Sequence, residues 1–170
     1  MADSHDPRVI VRRYLQDAIA AENSFESELR AFSKEGDDET VKSMFAQHAD
    51  ETRRQHERLT ARLRSLGESP SGLKSFMAHM FGMAPKTASM GHEDEERTVH
   101  NLLIAYAVEN SEVGMYEALA TVAALAGDTE TEMLARTIQK EEQETAEKVW
   151  RMIPSTSRMA FERLVTADVR

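Results

Sequence analysis

Glu22, Glu51, Glu109 and Glu141 each stand in the middle of a stretch in which apolar residues recur at spacings of three and four, the period of one helix face. A carboxylate there is expensive, because taking it out of water costs several kcal/mol unless an opposite charge or a metal ion compensates. Four of them, one per stripe, point to a shared cation site in the core of a helical bundle. Glu109 and Glu141 are followed three residues later by Glu112 and Glu144, which puts a second carboxylate on the same face about 4.5 Å further along. His48, one turn before Glu51, adds an imidazole as a ligand or as the partner of one. The chain contains no cysteine, which excludes thiolate ligation, disulfides and a cysteine nucleophile. Six carboxylates around two cations form a donor set suited to iron or manganese. The competing reading leaves several of these glutamates on a solvated edge, paired with Arg53, Arg54, Lys140 or Lys148.

The elements that must position these residues are long helices. Glycine and proline are sparse and clustered, leaving four uninterrupted segments, about 7–32, 38–66, 95–126 and 129–153, with helical periodicity and no strand pattern. The first carries Val11, Leu15, Ala18, Glu22, Phe25 and Leu29 on one face, and the second Val41, Met44, His48, Glu51, Gln55, Leu59 and Leu63. The third shows Val99, Leu102, Tyr106, Glu109, Val113, Tyr116 and Ala120, and the fourth Leu134, Ile138, Glu141, Thr145, Lys148 and Met152. Pro154 is expected to stop the fourth helix, with a short fifth helix over about 156–169. Short turns make helices 1 and 2, and helices 3 and 4, antiparallel hairpins. The connection 67–94 is long enough to cross the whole bundle, and Leu73, Phe76, Met77, Met80 and Phe81 within it have the spacing of a short transverse helix. The expected architecture is an all-α four-helix bundle forming a single domain over 1–170.

The two hairpins look like copies. Ala18-Ile19-Ala20-Ala21-Glu22-Asn23-Ser24 matches Ala105-Tyr106-Ala107-Val108-Glu109-Asn110-Ser111 at five of seven positions, and a weaker alignment pairs Glu51 with Glu141. Glu22 and Glu51 lie symmetrically about the turn at Gly36-Asp37, so they should meet at one level of the first hairpin. Glu109 and Glu141 are less symmetric about Gly127, a mismatch that Glu112 and Glu144 reduce.

A formal net charge of −9 disfavours binding to nucleic-acid phosphates, which calls for a basic face, and suits attraction of cations. Residues 1–8 lack the basic and apolar blocks of a secretory signal, and no apolar run approaches the roughly 20 residues that span a bilayer. With the lack of cysteine, the expectation is a soluble cytoplasmic protein without a membrane span.

Four segments carry a family resemblance: Tyr14-Leu15-Gln16-Asp17-Ala18-Ile19-Ala20-Ala21-Glu22, His48-Ala49-Asp50-Glu51-Thr52-Arg53-Arg54-Gln55, Val108-Glu109-Asn110-Ser111-Glu112 and Lys140-Glu141-Glu142-Gln143-Glu144. Through them the chain resembles the ferritin-like superfamily, and within it the YciE/YciF-like bacterial stress proteins. The superfamily's pattern is a Glu on helices 1 and 3 and Glu-x-x-His on helices 2 and 4. On that pattern Glu22 and Glu109 are the single carboxylates, and Glu51 and Glu141 the bridging ones. The expected histidines are replaced by Arg54 and Glu144, so imidazole ligation would fall to His48, or an amide ligand to Gln55. The resemblance implies a dinuclear metal protein, with iron before manganese, that handles dioxygen or peroxide in iron oxidation or peroxide scavenging during stress. It also implies a homodimer, to which Ile10, Tyr14 and Phe45 could supply an interface. Tyr106, one turn before Glu109, would hydrogen-bond a ligand carboxylate, supply an electron, or act as an ordinary core tyrosine. The alternative from a different class is a metal-free bundle with a structural or interaction role, for which Arg54 speaks most directly.

Overall fold

The computed structural model describes residues 6–70 and 94–167. Among them are four long helices and no strand: α1 (Pro7–Phe32), α2 (Glu39–Ser65), α3 (Arg97–Leu125) and α4 (Thr129–Ala167), with a 3-10 turn over Asp94–Glu96 leading into α3. Three of the four starts are set by an aspartate whose carboxylate takes up N–H groups that lack an intrahelical partner. Asp6 accepts from the Arg8 N–H at 2.9 Å, Asp38 from those of Thr40 and Val41 at 2.9 and 3.2 Å, and Asp128 from that of Thr131 at 3.0 Å. The segment holding the expected transverse helix lies outside the described residues.

The helices pack as an all-α bundle with α1 against α2 and α3, and α4 against α3 and α2. The far end of α1 meets the start of α3, where Asn101 Nδ2 donates to Glu35 Oε2 at 2.9 Å, so α1 and α3 run antiparallel. The end of α2 meets the start of α4 through Arg62. Its guanidinium reaches Asp128 Oδ1 at 2.6 Å and Thr131 Oγ1 at 2.8 Å, and also holds Glu130. Arg62 and Asp128 are 11% and 14% exposed, so this pair is far better shielded than an ordinary surface ion pair.

Two expectations fail here. Pro154 does not end the fourth helix, and no separate fifth helix forms; α4 continues through it to Ala167. An interior proline removes one N–H and crowds the carbonyl four residues earlier. Here both Pro154 and Trp150 are exposed, so water can serve the freed carbonyl, while Thr156 and Ala160 beyond the proline are buried and dock the continuation. Phe45 is not available to an interface: it is 1% exposed and packs in the core against Phe32. Large exposed apolar side chains lie instead on α3 and α4, including Leu125, Trp150 and Phe161. Among the described residues, no helix is long and apolar enough to cross a membrane.

The α1–α2 turn depends on Gly36, which has φ +73° and lies so close to α3 that an added Cβ would stand 2.0 Å from Thr98 Oγ1. Gly36→Ala should therefore combine the roughly 1–2 kcal/mol cost of a left-handed L-residue with a steric clash. Thermal melts should show a loss of about 2–4 kcal/mol for Gly36→Ala, partly restored when Thr98→Ala is added. Additive losses in the double variant would contradict the close approach.

Candidate metal centre

The core has three tiers. One end is an apolar cluster that includes Leu15, Leu59, Leu63, Leu119 and Ile138, and the other is a cluster that includes Phe25, Leu29, Phe45, Leu102 and Val149. Between them every helix contributes a buried polar side chain: Glu22 from α1, His48 and Gln55 from α2, Glu109 and Glu112 from α3, and Glu142 from α4, none more than 3% exposed. Apolar packing above and below fixes these helices and keeps water out of the middle tier.

His48, Glu109 and Glu142 each offer a ligand atom, and these atoms all lie within 4.8 Å of one another. His48 Nε2 is 3.0 Å from Glu109 Oε1, yet the approach lacks a hydrogen-bond angle, and both imidazole nitrogens are without a hydrogen-bond partner. Glu109 meets Glu142, carboxyl to carboxyl, a contact that needs a proton on one of them. The Phe25 ring meets the imidazole edge-on at 5.5 Å. Glu22 receives the Tyr116 hydroxyl at Oε1, while its Oε2 and Glu112 Oε1 are buried without partners. Glu142 Oε1 accepts from Gln55 Nε2 at 2.6 Å.

Burial dominates the protonation states. It holds His48 down at about 4, so the imidazole is neutral near pH 7 with a lone pair to offer. It pushes Glu109 up to about 8 and raises Glu22, Glu112 and Glu142 well above the ordinary carboxylate range, with repulsion among these carboxylates adding to the effect. The cationic side chain acting on this group, Arg58, lowers Glu22 only in part and is partly exposed. A cation in the tier would replace protons, supply the missing charge and engage the partnerless oxygens and nitrogen, and the oxygen and imidazole donor set suits iron, manganese or another first-row ion. The residues present fit a metal.

The structure gathers Glu22, Glu109, Glu112 and His48, four of the seven expected ligands, in this tier. Glu51 is half-buried at its edge, close enough to raise Glu109 and His48 electrostatically. Glu141 and Glu144 do not enter the core: Glu141 is held by Arg58, with Nη1 at 3.0 Å from Oε1, and Glu144 is exposed beside Lys140. The phase of α4 is the reason. Its buried face reads Thr131, Ala135, Ile138, Glu142, Ala146 and Val149, one residue on from the face built on Leu134. A turn-distance signal marks Glu142 in the sequence: it lies 15 residues after Gly127, as Glu51 lies 15 after Gly36. Tyr106 stacks on Trp150 at 5.2 Å, half-buried, and Tyr116 is the tyrosine that meets a buried carboxylate.

Comparisons with known proteins agree with this architecture. Residues 10–162 match the model of a family described as "Domain of unknown function (DUF892)". No curated protein matches the sequence. A protein from Xanthomonas campestris pv. campestris is similar at 25% identity over 92% of this chain and 97% of its own, with a TM-score of 0.77. The E. coli stress protein YciF is similar in fold at 22% identity, over 93% and 99% of the two chains, with a TM-score of 0.79. So is Desulfovibrio desulfuricans bacterioferritin, whose structure is described for its diiron site, at 16% identity over 98% and 91%, with a TM-score of 0.66. The fold is a ferritin-like helical bundle, as the sequence resemblance implies.

The buried acids give the metal-free protein a definite pH dependence. Carboxyls that ionise at about 4.5 in the unfolded chain and up to about 8 in the fold, as Glu109 does, leave the folded state with more bound protons across that window, so stability falls as pH rises through it. His48 works in the opposite sense and lower down, losing stability as pH falls from 6.5 towards 4. Above pH 6.5 the His48 contribution fades, and among the groups of this tier the carboxyls set the slope towards pH 8. Chelator-treated protein should melt at lower temperature at pH 8 than at 6.5, by about 1.4 kcal/mol per pH unit for each carboxyl that titrates, and Glu109→Gln should flatten the slope. A melting temperature that rises over this window would contradict the scheme.

Proposed function

We propose that this chain, which belongs to the DUF892 family, is a metal-binding protein whose buried middle tier takes two transition-metal ions, iron before manganese. The observation that carries this reading is the set of buried ligand atoms on Glu22, His48 and Glu112 without hydrogen-bond partners, beside a Glu109 carboxyl whose contact is another carboxyl, Glu142, with no buried cationic side chain among the described residues of the tier. His48, Glu109 and Glu142 would hold one ion, and Glu22 and Glu112 would contribute to holding the second. Four carboxylates balance two divalent cations in charge. The diiron site of the bacterioferritin on the same fold supports the number.

Bound iron would supply electrons for the reduction of dioxygen or peroxide. The chain's own contribution is to hold the donors before the metal arrives. Tyr116 fixes Glu22 by its hydroxyl, Phe25 packs the imidazole edge, and the two apolar tiers close the ends of the site to water. Protons leave Glu22, Glu109, Glu112 and Glu142 as cations enter, so affinity rises with pH. The activity that fits is oxidation of ferrous iron or removal of peroxide, in a cytoplasmic homodimer serving a stress response, the role that the name of the E. coli relative suggests.

A second reading has a specific observation behind it. Gln55 already satisfies Glu142, and Arg54 and Glu144 replace the imidazoles of the ferritin-like pattern, as in a bundle that has kept its acids protonated and works as a structural protein. Anaerobic titration with ferrous iron, followed by admission of oxygen, separates the two. The metal reading expects two ions per chain and a ferric absorbance on oxidation. Glu109→Gln and Glu142→Gln, which preserve shape and remove charge, should weaken binding by about 100-fold or more while leaving the metal-free protein at least as stable at pH 8. Wild-type protein that binds no iron above background sinks the metal reading.

A further inference from the structure

A groove of about 810 Å³ runs between α2 and α4, lined by Glu51, Gln55 and Arg58 on one wall and Glu141, Thr145 and Lys148 on the other. Its full lining carries four carboxylates and three cations, a slightly acidic wall. Among the described residues this is the most loosely packed of the four sides of the bundle; α1 with α2, α3 with α4 and α1 with α3 close on one another more extensively. The two ends of the middle tier are shut by the apolar clusters. A hydrated cation therefore meets less resistance at the α2–α4 side than along the axis, where it would have to shed its water among leucine and phenylalanine side chains.

Gln55 joins that groove to the core. It lines the groove yet is only 3% exposed, and its Nε2 donates inward to Glu142 Oε1 at 2.6 Å and outward to Glu141 Oε2 at 3.2 Å. Its Oε1 is buried with no partner. Arg58 holds Glu141 from the other side, so the amide is the inner end of a chain of contacts, Arg58 to Glu141 to Gln55 to Glu142, that spans the groove floor.

We propose that divalent metal ions reach the buried carboxylates through the α2–α4 groove and that the Gln55 side chain is the gate on this route. The inference rests on the metal-binding reading given above. Glu51 and Glu144, neither of them buried in the tier, collect cations at the mouth. The amide then swings from Glu142 and presents its spare carbonyl oxygen to the incoming ion, replacing water as the ion sheds it. Glu142, released by that swing, is then free to become a ligand. Gln55 is thus a positioning and access residue, and Glu142 stays latched while no cation is present.

Stopped-flow binding of Co²⁺, read by its visible absorbance, tests the route with intact protein. Gln55→Ala and Gln55→Asn remove or shorten the gate, and Thr145→Trp fills the groove wall without touching the tier. The first pair should speed both binding and release by about tenfold, and Thr145→Trp should slow both by a similar factor, with its Kd within about threefold of wild type. A merely structural role for Gln55 would lower the melting temperature and would not speed binding and release together. If Gln55→Ala does not fold by circular dichroism, Gln55→Asn and Thr145→Trp decide the matter alone. Wild-type rates in all variants, with wild-type Kd, overturn the route while the metal site stands. No Co²⁺ binding by the wild-type protein overturns the metal reading and the route together.

Discussion

The cost of burying carboxylates governs this bundle. Glu22, Glu109, Glu112 and Glu142 lie where a helical protein would ordinarily place leucine, and in that position each must be neutral or compensated. The surrounding structure is arranged to make this tolerable rather than to avoid it. Apolar tiers on both sides hold the helices at a fixed spacing, Tyr116 and Gln55 each satisfy one carboxyl oxygen, and His48 contributes a neutral imidazole. What remains unpaired is a set of lone pairs turned towards one another, a state that protons can quiet and a metal can exploit.

The same constraint explains how the site departs from the ferritin-like pattern without losing its character. The imidazole appears at position 48, a turn before Glu51, rather than at position 54, where an arginine faces the groove. On α4 the carboxylate that enters the core is Glu142, and its neighbour Glu141 turns outward to Arg58. A one-residue shift thus divides two adjacent glutamates between core and surface, each with a different partner.

The legibility of the sequence followed side-chain size. In α1 and α2 the seam is built of Val, Leu, Phe and Met, large residues that leave the buried face unambiguous, and Glu22, His48 and Gln55 stand out as polar breaks in it. In α4 the seam relies on Ala135, Ala146 and Thr131, which bury completely but read as neutral in a periodicity count. The larger Leu134 and Met152, half-buried at the flank, pull the apparent face towards Glu141. α3 is intermediate, with Val99, Tyr106 and Val113 partly exposed and Ala105, Val108 and Ala120 buried. Pro154 shows a related limit: a local helix-breaking signal gives way when the residues after it have a core to join.

Arg62 has a consequence for chain topology. The two hairpins are joined covalently only by the connection between α2 and α3, yet the end of α2 is also fastened to the start of α4 through Asp128, which is the capping residue of that helix. One guanidinium therefore ties the last turn of the first hairpin to the first turn of α4. The two halves thus have, at this end of the bundle, a side-chain fastening in addition to the covalent one.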